Sequence, residues 1–219
     1  MARTKLDAMN ICLRGIGIAP VETEDDTDLD AATASQVIDN VSTDIQSRGW
    51  WFNKEYNVKI SPEAITGYVS APPSALSIVT SGGSRNEGLV IRGDKIYDLW
   101  YHTYDLSVRA ISDAGSVTTY IEFAYVTELD YNDLPPVAKM AIAYTARRQF
   151  AQNLEVDVNR WKFQTYDEDR AMTAMLREDA RSTKRNTLTD NSVMATFLNN
   201  VGGVNSASSF IGVFPKRVT

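Results

Sequence analysis

The stretch Ile45–Asn53, IQSRGWWFN, limits what this chain can fold into more than any other. Ahead of it Ala34, Val37, Ile38, Val41 and Ile45 recur at three- and four-residue steps, one apolar face of a helix. Gly49 stands where a left-handed residue closes a helix at little steric cost. Beyond it Tyr56, Val58 and Ile60 alternate as a strand does. The period changes from about 3.6 to 2 within a few residues, and Trp50, Trp51 and Phe52 sit at the change. These three are expected to be core aromatics at a junction, wedged between a helical layer and a β layer.

The segments on either side extend that pattern. Thr4 is suited to cap a first helix carrying Leu6, Met9, Cys12 and Leu13, with Gly15 ending it. The glycines of residues 15–21, GIGIAPV, lack dinucleotide or Walker spacing and follow no strand, so they read as a packed turn. Residues 22–30 hold the acids Glu22, Glu24, Asp25, Asp26, Asp28 and Asp30. A calcium loop of EF-hand type needs a central glycine and a distal glutamate that do not fit here. A solvated loop that ends by capping the next helix is the better reading. Helix two is expected over Asp30–Arg48, antiparallel to helix one.

From Lys54 to about Glu128 the pattern is β, punctuated by Pro62, Gly67, Pro72 and Pro73. Strands are expected at Tyr56–Ile60 and Ala75–Thr80, with a flexible tip at Ser81–Gly88. Leu89–Arg92 and Lys95–Leu99 flank Gly93-Asp94 as a two-residue hairpin, which also accounts for the tripeptide Arg92-Gly93-Asp94. Trp100, Tyr101 and Tyr104 lie beside it. Val117, Thr119, Ile121, Phe123 and Tyr125 then alternate as a strand with one buried face. Helix three follows, with Asn132 or Asp133 as cap and Pro135 and Pro136 in its first turn. Its expected face is Val137, Met140, Ala141, Tyr144 and Phe150. Helix four runs from about Val158 to Arg185, roughly 40 Å, carrying Trp161, Met172, Met175 and Leu176 above a charge-dense, solvated side. Residues 186–219 are rich in Asn, Ser, Gly and Thr but dotted with Phe197, Phe210 and Phe214, the composition of an arm that orders against a partner.

The expected fold class is α+β: an antiparallel bundle of about four helices, a small inserted antiparallel β domain and an extended C-terminal arm. The boundaries fall at 1–53 for the helical hairpin, 54–130 for the β insert, 131–185 for the remaining helices and 186–219 for the arm.

Counting excludes several chemistries. The chain has one cysteine, Cys12, and one histidine, His102, so neither an intrachain disulfide nor a zinc site of several Cys and His ligands can form. Any nucleophile–histidine triad would have to use His102. No metal or cofactor site and no catalytic constellation is expected. No apolar run approaches the roughly 18 residues of a membrane span, and MARTKLDAMN lacks the apolar core of a signal peptide, so the product is expected to be cytosolic when made. The net charge of −6 opposes a surface that grips phosphate, though an acidic protein can surround DNA without holding it.

The stretches ICLRGIGIAPV (11–21), 27–53 ending in IQSRGWWFN, VIRGDKIYD (90–98), DYNDLPP (130–136) and ARRQFAQN (146–153) together resemble the tail tubular protein A family, adaptor proteins of short-tailed bacteriophages. The likeness runs in family order from near the start to about residue 180; past residue 186 the chain is longer than the family pattern. It implies a structural part of the virion tail, in a ring of about twelve copies between the portal and the nozzle protein, tail tubular protein B. It also implies that the ring helps to seat tail fibres and that double-stranded DNA passes through the bore without specific binding.

On that reading the candidate contact residues are Trp100, Tyr101 and Tyr104 beside the hairpin, Arg147, Arg148 and Arg160 on the last two helices, and Phe197, Phe210 and Phe214 in the arm. The arginines would make salt bridges between subunits. The alternative is a tail-associated glycan hydrolase using paired carboxylates, for which Glu128 and Asp130 are the pair to test. A free-standing DNA-binding module would instead use Arg147, Arg148, Arg160, Lys184 and Arg185 on phosphate.

Overall fold

The computed structural model describes residues 4–24, 28–79, 88–112, 119–152 and 158–183. Helix α1 spans Lys5–Ile16. Thr4 Oγ1 accepts the Asp7 amide while the Asp7 carboxylate accepts the Thr4 amide, a capping box that satisfies two orphan donors at once. The helix runs past the expected stop at Gly15 and ends at Gly17, whose φ of 90° is left-handed. Gly15 serves a different purpose. A Cβ there would stand 2.7 Å from Arg147 Cγ, so the bare backbone admits the arginine stem. The chain then folds back along α1, where the Asn10 side chain both donates to and accepts from the Val21 backbone.

Helix α2 spans Leu29–Ser47 and buries Ala31, Ala34, Ile38, Val41 and Ile45. Gly49, at φ 72°, turns the chain out of it. Strand β1 (Lys54–Ile60) pairs antiparallel with the long strand β6 (Thr119–Thr127), which pairs on its other side with β2 (Ala75–Val79). The register of β1 shifts between Glu55 and Val58, where Asn57 takes a φ of 56°. That bulge breaks the expected alternation: Val58 and Ile60 pack inward, while Tyr56 is exposed. Strands β3 (Leu89–Arg92) and β4 (Lys95–Asp98) form the hairpin, with Gly93 at φ 65° in its two-residue turn. A two-residue strand β5 (Ile111–Ser112) pairs with the start of β6, and the sequence pattern is too short to reveal it. The expected tip at 81–87 and Val117 lie outside the described residues.

Helix α3 spans Pro136–Gln152. Neither Asn132 nor Asp133 caps it, because both lie in a separate 3-10 turn over Tyr131–Asp133. The Asn132 carboxamide instead accepts the Lys5 amide at the start of α1, and the first α3 bond runs from the Lys139 amide to the Pro135 carbonyl. The buried residues of α3 include Ala138, Ala141, Ile142, Ala143, Ala146 and Phe150. Alanines dominate because α1 and α2 both press against this helix, whereas the expected Val137, Met140 and Tyr144 are only half-buried.

Helix α4 spans Val158–Thr183. Gln164, Ala171 and Met175 are its buried line; Trp161 and Leu176, expected inside, are 42% and 53% exposed. The helix is turned by polar ties that apolar spacing cannot foresee. Arg147 and Arg148 of α3 hold Asp167 and Glu168, and Gln164 donates to the Gly15 carbonyl. The fold is thus α+β, with four helices and small antiparallel sheets among the described residues, and to Ser182 it forms one compact unit.

Two apolar clusters fill that unit. The helical one holds Met9, Cys12, Leu13, Ile38, Ile142 and Met175 among others, and the β one holds Val69, Leu89, Ile96, Leu106, Ile121 and Phe123. Trp50 is buried in the helical cluster, its indole N–H donating to the Ile45 carbonyl at 2.6 Å, and Trp51 and Phe52 pack half-buried against the same cluster. Polar side chains tie helix to strand. Buried Asn53 accepts the Trp50 amide and donates to the carbonyls of Gln46 and Thr127. Buried Gln46 bonds both the amide and the carbonyl of Leu129. Single side chains thereby satisfy backbone groups from α2 and from the exit of β6, which burial would otherwise leave unpaired.

Candidate interaction surfaces

The turn after β4 is built to show aromatic rings to solvent. Asp98 is almost wholly buried, and one of its carboxylate oxygens accepts the amides of Trp100 and Tyr101 at 2.7 and 3.1 Å. Arg109 closes on the same carboxylate as an ion pair, with one guanidinium N–H at 3.0 Å. The Asp98 and Thr103 backbones exchange hydrogen bonds across the turn, and His102 takes the left-handed φ of 52° that closes it. Trp100 lies on Gly88, where a Cβ would come within 1.7 Å of its ring. With its backbone so constrained, the turn leaves Trp100 67% and Tyr101 65% exposed. Together with Val108 and Arg109 these rings line an open groove of about 560 Å³. Tyr104 is different: half-buried, it packs edge-on against Tyr68 and Tyr97, with centroids 6.1 and 4.8 Å away.

Two of the arginines read as bridges between subunits, Arg147 and Arg148, make bonds within the chain. Arg147 donates to Asp167 at 2.7 Å and lies 5.1 Å from the Tyr144 ring centroid. Arg148 grips both oxygens of Glu168, and that hydrogen bonding raises its pKa further above the ordinary arginine value. The structure therefore brings 147 and 148 together with α4. The side chain of Arg160, together with Lys184, Arg185, Phe197, Phe210 and Phe214, lies outside the described residues.

Two further grooves follow α4. One, of about 410 Å³, runs between α3 and α4 past Val137, Met140, Tyr144 and Ala174. The other, of about 420 Å³, lies beside Gly15, Arg147, Phe163 and Gln164. In the latter, two buried polar atoms, Gln164 Oε1 and Arg147 Nε, have no hydrogen-bond partner. Phe163 lines the same groove, and it and Tyr166, further along α4, are 72% and 67% exposed. The sequence reading missed both rings because their α4 spacing resembles that of any amphipathic helix.

Of the carboxylates proposed for hydrolysis, Glu128 is exposed and accepts the Thr43 hydroxyl, while Asp130 is the exposed residue before the 3-10 turn. Neither lines any of these three grooves. Among the described residues no group of three His, Cys, Asp or Glu side chains is placed to hold a metal, and no helix is long and apolar enough to cross a membrane. Cys12 is buried under α1, and burial pushes its thiol up to about 12, partly offset by Arg147.

A bundle carrying a presented aromatic turn and open helix-side grooves offers surfaces for contact with other molecules, as a structural assembly part needs. The chain belongs to the tail tubular protein family, whose model matches residues 6–185, and it is therefore a structural component of a bacteriophage tail. No curated protein matches it.

Proposed function

We propose that the protein is the head-to-tail adaptor of a short-tailed phage, made in the host cytoplasm and assembled as a ring of about twelve copies between portal and nozzle. The family match over 6–185 carries this reading. Residues 1–53 and 131–185 form the body of the ring in this scheme, and 54–130 a β unit turned toward the nozzle or the fibres. The arm, 186–219, lies past the family match and is a second contact. The Trp100–Tyr101 turn suits docking because its backbone is held before a partner arrives, which lowers the ordering cost of binding. A net charge of −6 suits a bore through which DNA slides, since an acidic wall repels phosphate.

The test is the mass of the full chain by light scattering, alone and mixed with its portal protein. A complex holding about twelve copies per portal ring is expected. A chain that neither binds the portal nor occurs in purified virions would sink the proposal.

A further inference from the structure

Helix α4 sorts its charges by side. Its acids Asp167 and Glu168 are taken up by α3, and Asp179 accepts the Trp51 amide. Among its described, exposed residues the ionisable ones are Lys162, Arg170, Arg177 and Arg181, the last paired with half-buried Glu178, against the single acid Asp169. The same side shows Phe163, Tyr166 and Leu176 to solvent at 72%, 67% and 53%. Helix α2 is the converse. Its sequence, LDAATASQVIDNVSTDIQS, contains no lysine or arginine. Asp39 and Asp44 keep 59% and 64% of their side-chain area exposed despite ion pairs to Lys5 and Arg48, and Leu29 at its start is 79% exposed.

We propose that the exposed face of α4 docks on the exposed face of α2 in a second copy of this chain. The charges are opposite in sign and the stripes comparable in length, about 28 Å from Lys162 to Arg181 and about 24 Å from Asp28 to Asp44. The two faces cannot meet within one chain, because each helix buries its other side in the same helical cluster. Phe163, Tyr166, Leu176 and Leu29 supply the apolar area, for which a phosphate-binding surface has no use. The contact joins two unlike surfaces, so it repeats from copy to copy and closes into a ring when the rotation allows. It deepens the ring reading above and rests on it.

Charge-swap complementation on the full chain decides the matter. Wild type should self-associate by sedimentation velocity, while Arg170→Glu/Arg177→Glu and Asp39→Lys/Asp44→Lys, each folded by circular dichroism, should associate at least tenfold more weakly. Mixing the two variants should restore association, since reversed α4 then meets reversed α2. Phe163→Ser/Tyr166→Ser, which changes only exposed rings, should weaken association at least tenfold without loss of fold. Wild type that stays monomeric to about 1 mM, or a mixture that fails to recover, would overturn the proposal. So would duplex DNA retardation that the α4 variant abolishes while its mass is unchanged. Presence in virions is read separately, so the tail role survives any of these failures.

Discussion

At the scale of single residues, stability rests most visibly on a few buried polar groups. Gln46 satisfies both backbone groups of Leu129, and Asn53 bridges the end of α2 to Thr127. Gln46→Ala strips partners from two backbone groups at once, so urea denaturation should show a loss of about 2–4 kcal/mol, well above a surface substitution. Cys12 gives a pH signature. Its thiol titrates near 9 when unfolded but at about 12 in the fold, so above pH 9 the unfolded chain sheds a proton that the native one keeps. Stability contributed by the neutral thiol is complete below pH 9 and falls by about 1.4 kcal/mol per pH unit as pH rises toward 12. Tyr131, also raised by burial, adds to the loss at higher pH. Cys12→Ala should flatten the first part of that decline, as measured by denaturation midpoints between pH 8 and 11. The role of Gln46 could not be seen beforehand, since a glutamine on a helical pattern shows nothing of the strand exit it meets.

At the scale of elements, local chemistry wrote some structures into the chain. The Gly93-Asp94 turn, the Thr4 cap and the left-handed exit at Gly49 need only their neighbours, and all three stand where spacing predicts. Elements fixed by distant partners were not legible. The α4 face is set by ties to Gly15, Arg147 and Arg148, and Tyr56 leaves its expected side because of a bulge against β6. Two predictions belong here. Asp98→Ala removes the buried carboxylate that accepts two turn amides and pairs with half-buried Arg109; it should cost about 2–4 kcal/mol by denaturant melt. Gly88→Ala, with its Cβ driven into Trp100, should shift tryptophan emission with little change in far-ultraviolet dichroism. Trp100 and Tyr101 could be named from sequence as hairpin-side aromatics, but not that a buried carboxylate holds their backbone.

For the whole molecule, the expectation is assembly rather than turnover. A chain truncated before Asn186 keeps all the described residues and should fold, with a cooperative thermal transition; in the proposed reading it joins tails poorly, scored by its amount in purified virions. Normal incorporation would remove the arm from the proposal. Sequence alone determined the α+β class, most element positions and the family, because periodicity, turn chemistry and motif order are properties of neighbouring residues. Tertiary structure decided which side of α4 faces water, that Arg147 and Arg148 pair with acids of α4, and that polar side chains join helix to strand. Those outcomes depend on pairing groups far apart in the chain under the demand that buried polar atoms find partners, and no local pattern encodes that demand.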